Sequence, residues 1–185
     1  MLIFELLFII SLGLILLLIC FVIVITFIES YFLDAPFVST EKSIIDKIIS
    51  NLRLDEKSVL IDLGCGDGRI LRHAVIKIKS MSAIGFEYSL VPFLLAKFTS
   101  RCFKQIQIKK TSIFNANIQN ATHIYVYLYP KCLNKLGEKF KKECQDGVKI
   151  ISCDFEIKNF KLIDTIILDD KLSKYKHKLF IYNIK

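Results

Sequence analysis

Val59-Leu60-Ile61-Asp62-Leu63-Gly64-Cys65-Gly66-Asp67-Gly68-Arg69-Ile70 is a short apolar run that enters an acidic, glycine-spaced turn and leaves into helical periodicity. Glycines at 64, 66 and 68 let the backbone turn sharply and approach a ligand without intervening Cβ atoms. The helix that follows has unpaired N–H groups at its start, so the stretch has the form of a nucleotide-type binding loop. Three loop chemistries compete for it. A phosphate-cradling loop needs G-x-x-x-x-G-K-[ST], and no Gly-Lys-Ser or Gly-Lys-Thr occurs in the chain. The dinucleotide fingerprint G-x-G-x-x-G would need glycine where Arg69 stands. What remains is acid-x-G-x-G-x-G. A carboxylate such as Asp62 would repel a pyrophosphate, which also counts against a dinucleotide. A turn that merely joins strand to helix seldom needs three alternating glycines and two acids.

Upstream, the chain changes character. Leu6 to Ile28 holds no charged residue, and as a helix it would span about 35 Å against a hydrocarbon core of about 30 Å. A cleaved signal peptide would want a basic start, a shorter apolar core and a small-x-small site. No Lys or Arg precedes Lys42, so residues 1–28 read as a transmembrane anchor, 29–40 as a linker and 41–185 as the functional domain. All 26 basic residues follow the apolar segment, against 17 acids there, which leaves that part at +9. The side bearing Lys42, Lys47 and Arg53 is then cytoplasmic, on a single-pass protein of the cell membrane. The lysines are scattered along the chain, which suits a surface near anionic headgroups better than nucleic acid. Six cysteines without a C-x-x-C pair read as buried, reduced thiols; no metal site is expected.

Along the remainder, Thr40 can cap a helix with Ile44, Ile45, Ile48, Ile49 and Leu52 on one face. Strands are expected at 58–63, 83–86, 105–109, 123–129, 148–155, 162–168 and 179–184. Helices are expected at 69–78, at 90–102 after Ser89, and at 131–144 before Gly147. Tyr125, Tyr127 and Tyr129 would alternate on one face of the fourth strand. His73, His123 and His177 show no partner arrangement. The order predicts a doubly wound α/β sheet that closes with a C-terminal β-hairpin, after one transmembrane helix. Glu87 ends the second strand, where ligands bind in open α/β sheets.

The acid-x-G-x-G-x-G loop, Glu87 and the element order resemble the class I S-adenosylmethionine-dependent methyltransferases, with their seven-stranded, Rossmann-like sheet. Further pieces narrow the resemblance: the N-terminal anchor, Ala35-Pro36-Phe37-Val38, Tyr127-Leu128-Tyr129-Pro130, and Gly147-Val148-Lys149-Ile150-Ile151-Ser152 with Phe155. Together they resemble the small membrane-anchored lysine methyltransferases of the mitochondrial ATP synthase c subunit and adenine nucleotide translocase, and their bacterial relatives. Those relatives tend to have proline where Ser39 stands.

The resemblance implies an S-adenosylmethionine site made by Asp62, Leu63, Gly64, Cys65, Gly66, Asp67, Gly68, Glu87, Tyr88, Ser112 and Ile113. Ser112 stands where relatives show Gly-Asp or Gly-Asn toward adenine. It also implies an acceptor pocket with Phe37, Tyr129 and Pro130, and a segment Pro36 to Thr40 that closes over the site. The reaction would be methyl transfer at the membrane surface to a lysine of a membrane-associated protein. A lipid, quinone or other small-molecule acceptor is the alternative, and a non-catalytic membrane-anchored binding module a third reading. The sequence names no general base and carries no signal for oligomeric state.

Overall fold

The computed structural model describes residues 2–32, 40–168 and 176–184. Its contacts divide the chain into two units, Met1–Phe37 and Val38–Lys185. Among the described residues the first contains one helix, α1 (Leu2–Phe32), longer at both ends than the charge-free run and continuing into the stretch expected as linker. Within it, Ile3–Ile25 is long and apolar enough, by length and composition, to cross a membrane, a test that signal sequences also pass. Its side chains are exposed from Ile3 to Val24, and the Ser11 hydroxyl donates to the Phe8 carbonyl at 2.7 Å, so this polar group is satisfied inside the helix.

In the second unit, β1 (Val59–Leu63), β2 (Ser82–Glu87), β3 (Ile106–Lys110), β4 (His123–Val126), β5 (Lys149–Cys153), β6 (Leu162–Leu168) and β7 (His177–Asn183) form one sheet. Its order is β3-β2-β1-β4-β5-β7-β6. The first five strands are parallel, and β7 runs antiparallel between β5 and β6, so the expected final hairpin is present. The chain reverses its direction of winding between β1 and β4, which opens a crevice at their carboxyl ends.

Helices cover both faces. On one, α2 (Lys42–Leu52) and α3 (Arg69–Lys77) pack with Leu60, Ala83, Tyr125 and Ile151. Ile44, Ile45, Ile48, Ile49 and Leu52 are all buried, each contributing about 1.5–3 kcal/mol of transfer free energy before entropy is counted. On the other face, α5 (Pro130–Glu143) sets Leu133, Leu136 and Phe140 against Ile61, Ile124 and Ile150. The central strands are covered on both sides, which is why β1 is apolar at every position but Asp62. Between β2 and β3 lies α4 (Leu90–Thr99), of which only Ala96 is buried.

Several local expectations differ from the structure. β4 ends at Val126, so Tyr127 and Tyr129 lie past the strand and only Tyr125 belongs to it. Aromatic alternation extended the expected strand, whereas Pro130, at the first helical position, already turns the chain into α5. Glu41, not Thr40, precedes α2, and Ser89 precedes α4 without a side-chain capping bond. α4 stops at Thr99, three residues early, and α5 stops at Glu143, with Gly147 (φ 86°) shaping the following turn instead. Of the cysteines, Cys65 and Cys153 are buried, whereas Cys20 and Cys102 are exposed and Cys132 and Cys144 are intermediate. The lysine-rich link before β7 lies at 169–175, outside the described residues.

Candidate functional site

At the end of β1 the chain must turn within a few residues and enter α3. Gly64 (φ 82°), Gly66 (φ 57°) and Gly68 (φ 77°) all adopt the left-handed region that a Cβ disfavours. A Cβ at Gly64 would also come within 3.1 Å of Leu128 Cδ2, so the loop passes directly under the chain leaving β4. Backbone bonds bind the loop to the neighbouring strand: the Gly64 and Cys65 N–H groups donate to the Phe86 carbonyl at 2.8 and 3.1 Å. Leu63 and Cys65 turn inward, and burial pushes the Cys65 thiol far up, with Asp62 and Glu87 adding to it.

Glu87 ends β2 beside this loop and is buried. Its Oε2 accepts from Gly66 N–H at 2.9 Å and its Oε1 from Ser89 N–H at 2.9 Å. Asp62 is 2% exposed, and no described residue donates a hydrogen bond to its carboxylate. Burial raises its pKa well above the usual carboxylate value, and the charges of Glu87 and Asp67 raise it further. Asp67 behaves oppositely. Burial alone would raise it, but the hydrogen bonds and charge of Arg69, with Arg72 behind, hold it below the ordinary value.

Arg69 forms a fork on Asp67, Nε to Oδ1 at 2.9 Å and Nη2 to Oδ2 at 2.9 Å, and its Nη1 donates to the Thr40 carbonyl at 2.7 Å. The end of the segment preceding α2 is thereby tied to the loop. Arg72 Nη1 donates to the Asp67 carbonyl and to Thr99 Oγ1, the latter at 2.6 Å, which links the loop to α4. None of these arginine links was read from the sequence, although Arg69 and Arg72 sit one helical turn apart at the loop's exit, a spacing suited to a shared acid.

The other expected residues lie along the same edge. Thr111 N–H donates to the Glu87 carbonyl at 3.2 Å, which brings Ser112 and Ile113 next to the end of β2. Ser112 Oγ accepts from Phe114 N–H at 3.4 Å and is half-buried, as is Ile113. Tyr88 is half exposed. Tyr129, also on the surface, packs its ring 5.6 Å from that of Phe155, and Pro130 follows it into α5. Phe37 and the Pro36 to Ser39 part of the closing segment lie outside the described residues.

One constellation was missed. Asp154, in a left-handed conformation (φ 64°) just past β5, accepts from His177 Nδ1 at 2.7 Å and from Lys178 N–H at 3.0 Å. Tyr127 stands edge-on to the His177 ring, and burial followed by Asp154 raises its hydroxyl pKa. His177 Nε2 is buried with no partner among the described residues. The pair is 23 residues apart and forms only because β7 inserts beside β5, so no sequence spacing announces it.

A family model described as the ANTKMT methyltransferase domain matches residues 62–164, from the loop acid into β6. The chain belongs to this family. It is an S-adenosylmethionine-dependent methyltransferase, as the resemblance implied. A protein-lysine N-methyltransferase of Saccharolobus islandicus is 26% identical to this enzyme over 158 residues, 84% of the chain and 97% of the relative. The human lysine N-methyltransferase of the ATP synthase c subunit is 26% identical over 125 residues, 65% of the chain. The chain spans nearly all of the Saccharolobus relative but about half the length of the human one, at 52%. Among solved structures, an RNA methyltransferase from Salinibacter ruber in complex with S-adenosyl-L-homocysteine superposes with a TM-score of 0.71. It is 25% identical, and the match covers 80% of this chain and 94% of that one.

Proposed function

We propose that this enzyme methylates a lysine amine of a membrane-associated protein, using the crevice over β1, β2 and β4. The observation that carries the cofactor half is Asp62, a buried carboxylate without a donor among the described residues, at the head of a glycine loop. Such a group matches a ligand with a cationic amino acid end. Glu87 holds Gly66 and, with about four acceptor positions on a carboxylate, can also take a ribose diol. Gly64, Gly66 and Gly68 give close backbone approach. Ser112 and Ile113 flank the adenine side, and Tyr88 borders it. When bound, S-adenosylmethionine supplies an electrophilic methyl on sulfur, so the protein's own part is alignment and desolvation.

The acceptor half rests on family membership, on the near full-length protein-lysine relative from Saccharolobus islandicus, and on the aromatic wall past β4. Tyr129, Pro130 and Phe155 offer apolar surface on which a lysine stem can lie. Partial desolvation there would lower the amine's pKa and favour the neutral nucleophile. Thr40, which ends the expected closing segment, is anchored by Arg69. Ile3–Ile25 would hold residues 41–185 at the cytoplasmic face of the cell membrane, with the basic residues after it obeying the positive-inside rule.

The test is methyl transfer from tritiated S-adenosylmethionine to membranes of the source cell, followed by separation of protein from lipid and nucleic acid. Label recovered as methyl-lysine after acid hydrolysis supports the reading. Label confined to the lipid extract or to RNA refutes it.

A further inference from the structure

Helix α4 carries Val91, Leu94, Leu95 and Phe98 at the i, i+3, i+4, i+7 spacing that ordinarily marks a face turned into a core. Here that stripe points outward: the four side chains are 38, 52, 48 and 64% exposed, and Tyr88 just before the helix is 50% exposed. The charges of its own stretch of chain are of one sign. From Tyr88 to Gly137 the chain has no Asp or Glu and seven basic residues, of which Lys97 on α4 and Arg101 and Lys104 just past it are exposed. The nearby acids are engaged, Asp67 with Arg69 and Arg72, and Glu87 buried with the loop. Arg101 lies over the Phe98 ring at 3.9 Å and Lys97 over the Phe93 ring at 5.8 Å, so the cations ride on apolar surface.

We infer that the outer face of α4 docks on an anionic phospholipid bilayer, as an in-plane second contact besides the N-terminal span. Leucine, valine and phenylalanine on one face with lysine and arginine at its border is the composition of a helix lying at the headgroup boundary. Each basic residue near such a surface strengthens binding about fivefold. The apolar stripe favours lipid over RNA, which would be met by aromatic stacking and hydrogen-bonding groups instead of aliphatic ones. Because Arg72 joins α4 to the Asp67 loop, docking would also set the height of the crevice above the membrane. The inference rests on the membrane reading for its bilayer, and two native thiols separate the two claims.

Cys20 lies inside α1 and Cys102 lies just past α4, and both are exposed. The full chain is reconstituted into vesicles of phosphatidylcholine alone or with phosphatidylglycerol, and labelling by a water-soluble maleimide is followed at each cysteine by peptide mass spectrometry. Cys20 is expected to be protected in both. Cys102 is expected to label at least about fivefold more slowly in the anionic vesicles. Leu94→Glu with Phe98→Glu should restore its rate while S-adenosylhomocysteine binding persists. Cys102 rates equal in the two lipids, with Cys20 protected, overturn the docking surface and leave the anchor standing. Cys20 labelled in both refutes the anchor, and slowing of Cys102 by anionic vesicles alone still supports docking. Protection of Cys102 by RNA but not by anionic vesicles assigns the face to nucleic acid and overturns the inference.

Discussion

Gly66 donates its backbone N–H to Glu87 Oε2 at 2.9 Å, across 21 residues of sequence. That bond joins the turn after β1 to the end of β2, so one carboxylate shapes the loop and faces the ligand it is proposed to hold. Glu87→Gln turns one acceptor into an N–H₂ group, which then meets either the Gly66 or the Ser89 donor. The expected result is a loss of about 1–3 kcal/mol in stability, with S-adenosylhomocysteine affinity down at least tenfold by calorimetry. A variant that binds as tightly as the parent would remove Glu87 from the site.

Asp62 couples stability to ligand binding through its charge. Its folded pKa lies above the unfolded value, so the stability it contributes is complete below about 3.8 and is lost as pH rises through the folded value. At pH 7, well above the unfolded value, the raised pKa costs the free enzyme stability. Asp62→Asn should therefore raise the thermal midpoint without ligand by about 2–4 °C per kcal/mol relieved, with the gain shrinking toward pH 4. It should also abolish binding of S-adenosylmethionine. Thermal scans across pH and titration calorimetry check both, and a lowered midpoint at pH 7 contradicts the charge argument.

Gly85 shows why the second strand carries a glycine although its φ needs none. A Cβ there would lie 2.6 Å from Cys65 Sγ and 2.7 Å from Leu71 Cδ1. Gly85→Ala is expected to cost about 1–3 kcal/mol through overpacking. Cys65→Ala should recover part of that in the double variant, because the sulfur is the nearest of the atoms in the way. Urea denaturation of the four proteins gives the coupling energy, and strict additivity would place the clash elsewhere.

His123 lies at the opposite end of the sheet from the site. Burial and then the charge of Lys149 lower its pKa from 6.5 to about 4. A depressed histidine stabilises the fold above pH 6.5, and that contribution is lost as pH falls toward 4. Since the ring keeps some contact with water, the effect is on the order of 1 kcal/mol. His123→Gln should flatten the fall in urea stability between pH 7 and 5, and a slope identical to the parent's would assign acid sensitivity to other groups.

The architecture was legible in the amino-acid order because its signals are local or periodic. Apolar runs between turn residues mark the buried strands, the α2 and α5 stripes mark helices that lie on a sheet, and three alternating glycines before Arg69 define the loop. Asp62 and Glu87 were also legible, since each stands at a strand's carboxyl end. Local patterns mislead where tertiary ones compete with them. The tyrosines after Val126 continue a strand pattern until Pro130 ends it, and the stripe on α4 has core spacing yet is exposed. Contacts across the sheet were out of reach. The Arg69 link to Thr40 spans 29 residues, and Asp154 meets His177 only because β7 runs antiparallel beside β5. Periodicity reports which face of an element is apolar; only the folded chain decides what that face meets, because burial is settled by neighbours distant in sequence.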